Sequence, residues 1–192
     1  MGHWEPHTED RVARLREAGL DVRVWGGNWK RARRPGFRMV RPLPAADYVR
    51  ALRAAKLALC SLSRMNRNES TGRSFEIPAM GACLFAERTA EHSFLYRDGV
   101  EAIFFENHDE MLRKALRYCN DLPLRNRVAE AGYQRCKVLK LSSQKHMERE
   151  WPIVIRWFQE RRVTLLPPDD APFWPGFRNG HSSPPAADFD KP

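Results

Sequence analysis

The sequence predicts an α/β fold: a Rossmann-like parallel sheet flanked by helices, forming a single domain. Short apolar segments alternate with helical patterns through residue 140, which is typical of a parallel sheet with helical crossovers. The clearest strand candidate, residues 57–62, is apolar almost throughout, as expected of a strand that is buried on both faces. Glycine or polar loops follow several of these segments, and such loops form ligand crevices at the carboxyl ends of parallel strands.

The start of the chain predicts part of a strand–helix–strand unit. Residues 1–6 are typical of the end of a strand and the loop after it, and we expect the strand itself to be missing. A helix capped by Thr8 or His7 follows and ends at Gly19. Residues 21–26 then predict a short strand, because valines and a tryptophan precede a glycine-rich breaker.

The rest of the chain continues this alternation. In order, it predicts a basic loop (30–41), a helix (45–56), a strand (57–62), a polar loop (64–70), a short helix, a strand (82–86), a short helix (91–96), a strand (101–105) and helices at 109–120 and 124–138. An aromatic-rich helix kinked by Pro152 ends the ordered part. We therefore expect a Rossmann-like domain at 1–141, a carboxyl-terminal helix at 142–162 and a disordered tail at 163–192.

Charge is concentrated near the amino terminus. Residues 11–56 contain thirteen Lys or Arg against three acids, within a chain of net charge +9. This excess indicates a polyanionic ligand or an acidic partner, and a solvated surface is an equally good interpretation. Nucleic-acid binding is the weakest hypothesis, because the basic residues match no nucleic-acid motif.

The cysteines and histidines do not predict a metal site. Four cysteines lack CxxC spacing, and we expect them to be reduced thiols; the six histidines are scattered. No cofactor is predicted. No apolar run reaches the roughly 18 residues of a membrane span and no signal peptide is evident, so the expected location is cytoplasmic.

The candidate ligand site centres on residues 71–87. Thr71, Gly72, Arg73 and Ser74 open a helix and supply backbone N–H groups, hydroxyls and a guanidinium, which suit a phosphate. Glu76, expected in the first turn of this helix, either holds ribose hydroxyls or only complements the helix dipole.

Two further loops are expected at the same crevice. Gly2 and His3 follow one strand end, and Trp25 and Gly26 follow another; Asn66 lies in the polar loop before the helix. Trp25 can stack on a base or belong to the core. Neither GxxxxGK[ST] nor GxGxxG occurs, which argues against a P-loop and a simple NAD-binding domain.

Three consecutive motifs carry a family resemblance. The runs R-S-F-E-I-P-A-M-G-A-C-L-F-A-E, D-G-V-E-A-I-F-F-E-N-H-D-E-M-L and L-R-N-R-V-A-E-A-G-Y-Q-R-C resemble the carboxyl-terminal half of GT-B glycosyltransferases, of the group 1 type. The branch with a CgeB-like (spore maturation protein) domain is the most similar. The resemblance covers roughly residues 44–150.

The resemblance implies a donor-binding domain for a nucleotide-diphosphate sugar. Glu76 would bind the donor ribose, and Thr71, Arg73 and Ser74 would line the diphosphate and sugar. Glu69 is one position short of the spacing that relatives use for a sugar ligand, so it is not assigned. The resemblance implies no metal.

The resemblance also implies that an acceptor domain is missing or supplied by a partner chain, toward which the 142–162 helix packs. Turnover is then expected only when that part is present. The alternative is a non-catalytic α/β binding or assembly module derived from a glycosyltransferase.

Overall fold

A computed structural model describes residues 2–38 and 40–139, together with Pro152 and Arg156, both helical. The chain divides into two units, residues 1–146 and 147–192, and the fold below is that of the first. The predicted tail at 163–192 lies outside the described residues, as does all of the predicted 142–162 helix except those two positions.

The first unit contains six α-helices and three β-strands among its described residues. The helices are α1 (Pro6–Glu17), α2 (Ala45–Ala54), α3 (Gly72–Ala79), α4 (Ala90–Leu95), α5 (His108–Asn120) and α6 (Leu122–Leu139). The strands are β1 (Ala58–Cys60), β2 (Leu84–Glu87) and β3 (Ile103–Phe105). Two short 3-10 helices, Trp29–Arg31 and Pro35–Phe37, lie in the basic loop.

The three strands form a parallel sheet in the order β1-β2-β3. Ala58 pairs with Leu84, and Phe85 with Ile103, so each helical crossover returns the chain to the adjacent strand. The predicted α/β class with a parallel sheet is therefore confirmed.

The predicted strand at 21–26 is wrong. This segment contains no turn, bend or helix, but no strand is formed. Its end is held by isolated bonds from the Gly2 amide to the Trp25 carbonyl (2.9 Å), from the Trp4 amide to the Gly27 carbonyl (3.0 Å) and from the Gly26 amide to the Arg41 carbonyl (3.2 Å). A ladder requires a neighbour along the whole segment, and none of the described residues lies there.

Both faces of the sheet are covered, because alternate side chains of each strand point to opposite sides. On one face Cys60, Leu84 and Phe104 form a core with Ile77 of α3 and Cys136 of α6. The other face packs against α1 and α5, and its core includes Leu15, Cys83, Phe85, Ile103, Phe105 and Met111. All four cysteines are free thiols.

The strand ends are fixed by an ion pair between a buried arginine and a partly exposed carboxylate. Arg11 of α1 is 5% exposed and binds the Glu87 carboxylate and the Ser61 hydroxyl. The same carboxylate accepts a bond from the Leu62 amide at 3.1 Å. Burial favours a raised pKa for Glu87, but Arg11 and the Leu62 amide outweigh it and hold that pKa below its usual value. The carboxyl ends of β1 and β2 are thereby tied to α1.

The D-G-V-E motif braces the third strand. Asp98 accepts a bond from the Phe104 amide at 2.8 Å and also binds Arg88 and Lys114. Glu101 accepts from the Arg97 amide at 2.9 Å, which closes the turn before β3. This motif is therefore structural.

None of the helices in the described part of the chain has the length and apolar content needed to cross a membrane.

Candidate ligand crevice

A crevice opens at the carboxyl ends of the strands, as one end of a cavity of about 880 Å³ that runs along β1 to Gly19 and Asn120. Five of the predicted site residues line it, namely Gly2, His3, Trp25, Thr71 and Arg73. Gly26, Gly72 and Glu76 lie beside it, joined by contacts to the lining residues Gly2 and Tyr48. Asn66 is exposed in a turn and does not line the crevice.

The amino terminus of α3 is closed by a reciprocal capping box. The Thr71 side chain accepts a bond from the Ser74 amide, and the Ser74 hydroxyl accepts one from the Thr71 amide at 3.1 Å. The next two amides, Gly72 and Arg73, have no backbone partner in the first turn. These N–H groups are therefore available to an anion.

The Ser74 hydroxyl is not available to a ligand, which corrects the prediction that it lines the diphosphate. Ser74 is fully buried, and its Oγ lies 2.8 Å from Nε2 of His92, which is also fully buried. The His92 Nδ1 lies 2.7 Å from the Glu87 carbonyl, which can only accept. Nδ1 therefore carries the proton, and Ser74 donates to Nε2. Ser74 positions the helix start and does not contact the crevice.

Burial lowers the pKa of His92, and the bond to the Glu87 carbonyl only partly opposes this effect. The imidazole also stacks on Phe104, with ring centroids 5.4 Å apart. Sequence reasoning missed His92, because nothing in its local pattern distinguishes it from an exposed helix residue.

Glu76 lies in the second turn of α3, since the helix begins at Gly72, so its predicted first-turn position is wrong. The helix dipole acts mainly within the first turn, so Glu76 does not serve only to complement that dipole. The exposed Glu76 carboxylate accepts a bond from the Tyr48 hydroxyl at 2.8 Å through Oε2. Partial burial and this carboxylate raise the pKa of Tyr48 to about 12, so the phenol remains a donor.

The second carboxylate oxygen of Glu76 faces the start of its own helix. An added Cβ at Gly72 would lie 3.4 Å from Glu76 Oε1. No hydrogen bond of this oxygen to any described residue is formed. Tyr48 therefore fixes the orientation of the carboxylate while one oxygen stays free. Tyr48 was not among the predicted site residues.

Arg73 is a cation that lines the crevice. Its side chain is half-buried, its Nε has no hydrogen-bond partner, and it forms no ion pair with any described residue. Its Nη1 lies 4.0 Å from the position of a Cβ added at Gly2. The guanidinium thus lies against Gly2.

Close backbone contact explains the glycines across the crevice. A Cβ at Gly26 would lie 1.7 Å from the Gly2 carbonyl oxygen, so only glycine fits there. Trp29, which donates to the same carbonyl at 2.9 Å, is the core tryptophan of this region and is 1% exposed. Trp25 is half-buried and lines the crevice, whereas Trp29 packs with Val12 and Phe37.

Glu69 has a structural contact. Its carboxylate accepts a bond from the Glu91 amide at 3.1 Å, and its carbonyl accepts one from the Thr89 hydroxyl at 2.7 Å. Both bonds hold the polar loop to the start of α4. In the described residues, no three His, Cys, Asp or Glu side chains converge as metal ligands.

The chain is similar to known proteins in sequence and in fold. A family model described as "Glycosyl transferase-like" matches residues 8–149. No curated protein matches the chain. A solved structure from Listeria monocytogenes, described as a UDP-N-acetylglucosamine 2-epimerase, is similar at 16% identity with a TM-score of 0.45. The similarity covers 78% of this chain and 44% of that protein, so the chain spans less than half of its length.

Proposed function

Because this chain belongs to the glycosyl transferase-like family, we propose that its crevice binds a nucleotide-diphosphate sugar. The domain is the donor-binding part of a glycosyltransferase, and the glycosyl group is transferred to an acceptor held elsewhere. The sequence resemblance to the GT-B carboxyl-terminal domain, with the CgeB-like branch as the most similar, supports the same assignment.

The observation that carries the proposal is the position of Arg73. Its guanidinium has no acidic partner in the described residues and contacts Gly2 at the crevice. The Gly72 and Arg73 amides at the start of the same helix, α3, have no backbone partner. Two N–H groups, the positive end of a helix and a guanidinium together form an anion site. A diphosphate can accept hydrogen bonds from the N–H groups and the guanidinium, and its negative charge suits the positive end of the helix.

Glu76 is proposed to bind the donor ribose. A carboxylate accepts hydrogen bonds from paired hydroxyls, and Glu76 Oε1 is free to do so. Tyr48 holds the other oxygen at 2.8 Å, which limits the side-chain entropy lost on binding.

The base is proposed to lie on the Trp25 side of the crevice. Trp25 is half-buried at the lining and belongs to no core cluster among the described residues, so its ring is available for stacking. Gly2 and Gly26 keep the backbone close behind it.

Catalysis by this chain alone is not proposed. The reaction needs an acceptor site and a catalytic base in addition to a donor site. We propose that an amino-terminal acceptor domain or a partner chain supplies these groups.

Calorimetric titration with UDP, GDP and ADP tests the proposal. We expect micromolar binding of one of the three. Arg73→Gln should weaken it about 10- to 100-fold, because a charge-assisted hydrogen bond contributes about 1.5–3 kcal/mol. Glu76→Ala should also lose affinity.

Arg127→Gln is the matched control, because Arg127 is exposed on α6 and forms no ion pair with a described residue. It should bind as the unchanged chain does. A folded protein that binds none of the three nucleotides would contradict the proposal. Steeply salt-dependent binding to DNA instead would favour the nucleic-acid hypothesis.

A further inference from the structure

A second, smaller cavity lies at the carboxyl end of β3, apart from the donor crevice. Its volume is about 210 Å³, and it is lined by Arg11, Arg64, Phe105, Glu106, Asn107 and His108. None of these residues lines the donor crevice. Pockets that hold drug-sized molecules have volumes of about 300–1,000 Å³, so this cavity suits a smaller group.

The amino terminus of α5 lies at this cavity. Asn107 caps the helix: its side chain accepts a bond from the Glu110 amide at 2.9 Å, and its carbonyl accepts one from the Met111 amide at 3.0 Å. The amides of His108 and Asp109 donate to no described residue. Because α5 has 13 residues, its amino terminus adds a positive partial charge beside these two free N–H groups.

Arg11 independently indicates an anionic ligand. Its side chain is 5% exposed, and its Nη1 binds the Glu87 carboxylate and the Ser61 hydroxyl. Its Nε and Nη2 donate to no described residue. The guanidinium lies in the wall of the cavity over the Phe105 ring, with Cζ 5.5 Å from the ring centroid. Free donors on a buried cation are costly, so we expect an acceptor beside them.

Arg64 supplies a second guanidinium from the loop after β1. Its side chain is exposed, lines the cavity and forms no ion pair with a described residue. Burial lowers the pKa of His108, and the charges of nearby arginines (Arg14, Arg11 and Arg64) lower it further. Asp10 acts in the opposite direction. Three arginines around one imidazole show that the electrostatic potential at the start of α5 is positive.

The acids near the cavity do not neutralise Arg64. Glu106, whose carboxylate is exposed at the cavity wall, pairs with Arg88 at 3.0 Å. Glu110 pairs with Lys114 at 2.9 Å. Asp109 is exposed and does not line the cavity. A positive charge is therefore left for a ligand.

We propose that this cavity is a second anion site, which binds a small tetrahedral oxyanion: free phosphate or the phosphate group of a phosphorylated ligand. The oxyanion accepts hydrogen bonds from the His108 and Asp109 amides at the start of α5. It also accepts bonds from the free nitrogens of Arg11 and from the Arg64 guanidinium. The site shares no lining residue with the donor crevice, so this proposal does not rest on the proposed function.

Amide spectra of the ¹⁵N-labelled whole chain test this proposal during titration with inorganic phosphate, at constant pH and ionic strength and without nucleotide. We expect saturable shifts of the His108 and Asp109 amides at millimolar phosphate. Absent shifts, or shifts that grow without saturation, would overturn the proposal. So would shifts confined to Gly72 and Arg73, because phosphate would then bind only at the donor site. Failure of this proposal and failure of the donor-site proposal are therefore distinguishable.

Two substitutions locate the phosphate. Arg64→Gln should weaken its binding about three- to tenfold, a modest effect because water and salt screen an exposed guanidinium. Arg67→Gln is the matched control, since Arg67 is exposed in the same loop and does not line the cavity. It should bind phosphate as the unchanged chain does. Unchanged affinity in the Arg64 variant, or an equal loss in both variants, would overturn the proposal.

Glucose 6-phosphate and glucose distinguish the two sources of the phosphate group. Shifts of His108 and Asp109 with glucose 6-phosphate as well as with inorganic phosphate would support a site for phosphorylated ligands. Shifts with inorganic phosphate alone would support a site for the free ion. Glucose should shift neither amide, and shifts as large as those with glucose 6-phosphate would overturn the assignment to an anion.

Discussion

Ser74 and His92 form a fully buried hydrogen-bonded pair, with Ser74 Oγ 2.8 Å from His92 Nε2. The pair joins the start of α3 to α4, and through the Glu87 carbonyl it also reaches the end of β2. The capping box of α3, and hence the proposed phosphate site, depends on a neutral imidazole in the core.

Stability should therefore fall at mildly acidic pH. The folded protein holds the pKa of His92 below its ordinary value of 6.5, so the unfolded chain binds the proton more readily. The stabilisation is complete above about pH 6.5 and is lost as pH falls from there toward the folded-state pKa. Urea midpoints measured between pH 7.5 and 5.5 should decline.

His92→Gln should flatten this decline. His108, whose pKa is also lowered by burial and by Arg14 and Arg11, contributes in the same direction, so His108→Gln serves as the comparison. An unchanged pH dependence in the His92 variant would contradict the buried neutral imidazole. The carboxylates with lowered pKa, such as Glu87, act only at lower pH and do not confuse this window.

Tyr48→Phe should weaken nucleotide-sugar binding without unfolding the protein. The hydroxyl orients Glu76, and one hydrogen bond contributes about 0.5–1.5 kcal/mol, so affinity should fall by about tenfold or less. Because Glu76 is exposed, the Tyr48–Glu76 hydrogen bond adds little to stability, and the Tm of the variant should stay within about 2 °C of that of the unchanged protein. Calorimetry beside thermal unfolding separates the two effects, and an unchanged affinity would remove Tyr48 from the site.

Gly132→Ala should destabilise the fold by about 1–3 kcal/mol. A Cβ there would lie 2.4 Å from the Glu101 carbonyl oxygen and 3.6 Å from Pro78, so α6 must move away from α3. Gly36→Ala is the control, since a Cβ at Gly36 meets nothing within 4 Å. Urea unfolding compares them, and equal midpoints would contradict this close packing.

Arg11→Met should cost about 3 kcal/mol, because it leaves the Glu87 carboxylate without its cation at the strand ends. Arg50→Met removes the partner of Asp47 in an exposed ion pair and should cost less than about 1 kcal/mol. Urea unfolding at pH 7 measures both. Similar losses in the two variants would show that the Arg11 pair has no special stabilising role.

Periodicity was enough to predict the helices and the parallel sheet, although the predicted cap of the first helix is wrong: α1 begins at Pro6, so His7 and Thr8 lie inside it. The amphipathic spacing in residues 109–120 and 124–138 matches α5 and α6 closely, since local pattern decides where such helices form. Local pattern does not predict which segments pair as strands. Residues 21–26 have strand-like composition, but a ladder needs a neighbouring chain, which local pattern does not contain.

The sequence indicated several residues that line one crevice, but not the contacts among them. Thr71 and Arg73 do line the crevice, because a loop that ends at a helix start places them there. Ser74 was assigned to the ligand because its partner, His92, lies eighteen residues further along the chain. Glu76 was expected in the first turn of α3 but lies in the second, because the helix begins at Gly72. Sequence determines helix boundaries poorly.

The most direct test of the donor site is the amide spectrum of the ¹⁵N-labelled protein during titration with UDP, GDP or ADP. We expect the Gly72 and Arg73 amides to shift most with the nucleotide that binds, because they donate to its diphosphate, while Gly81 beyond the other end of α3 stays unchanged. Saturable binding with Gly72 and Arg73 unmoved would contradict it.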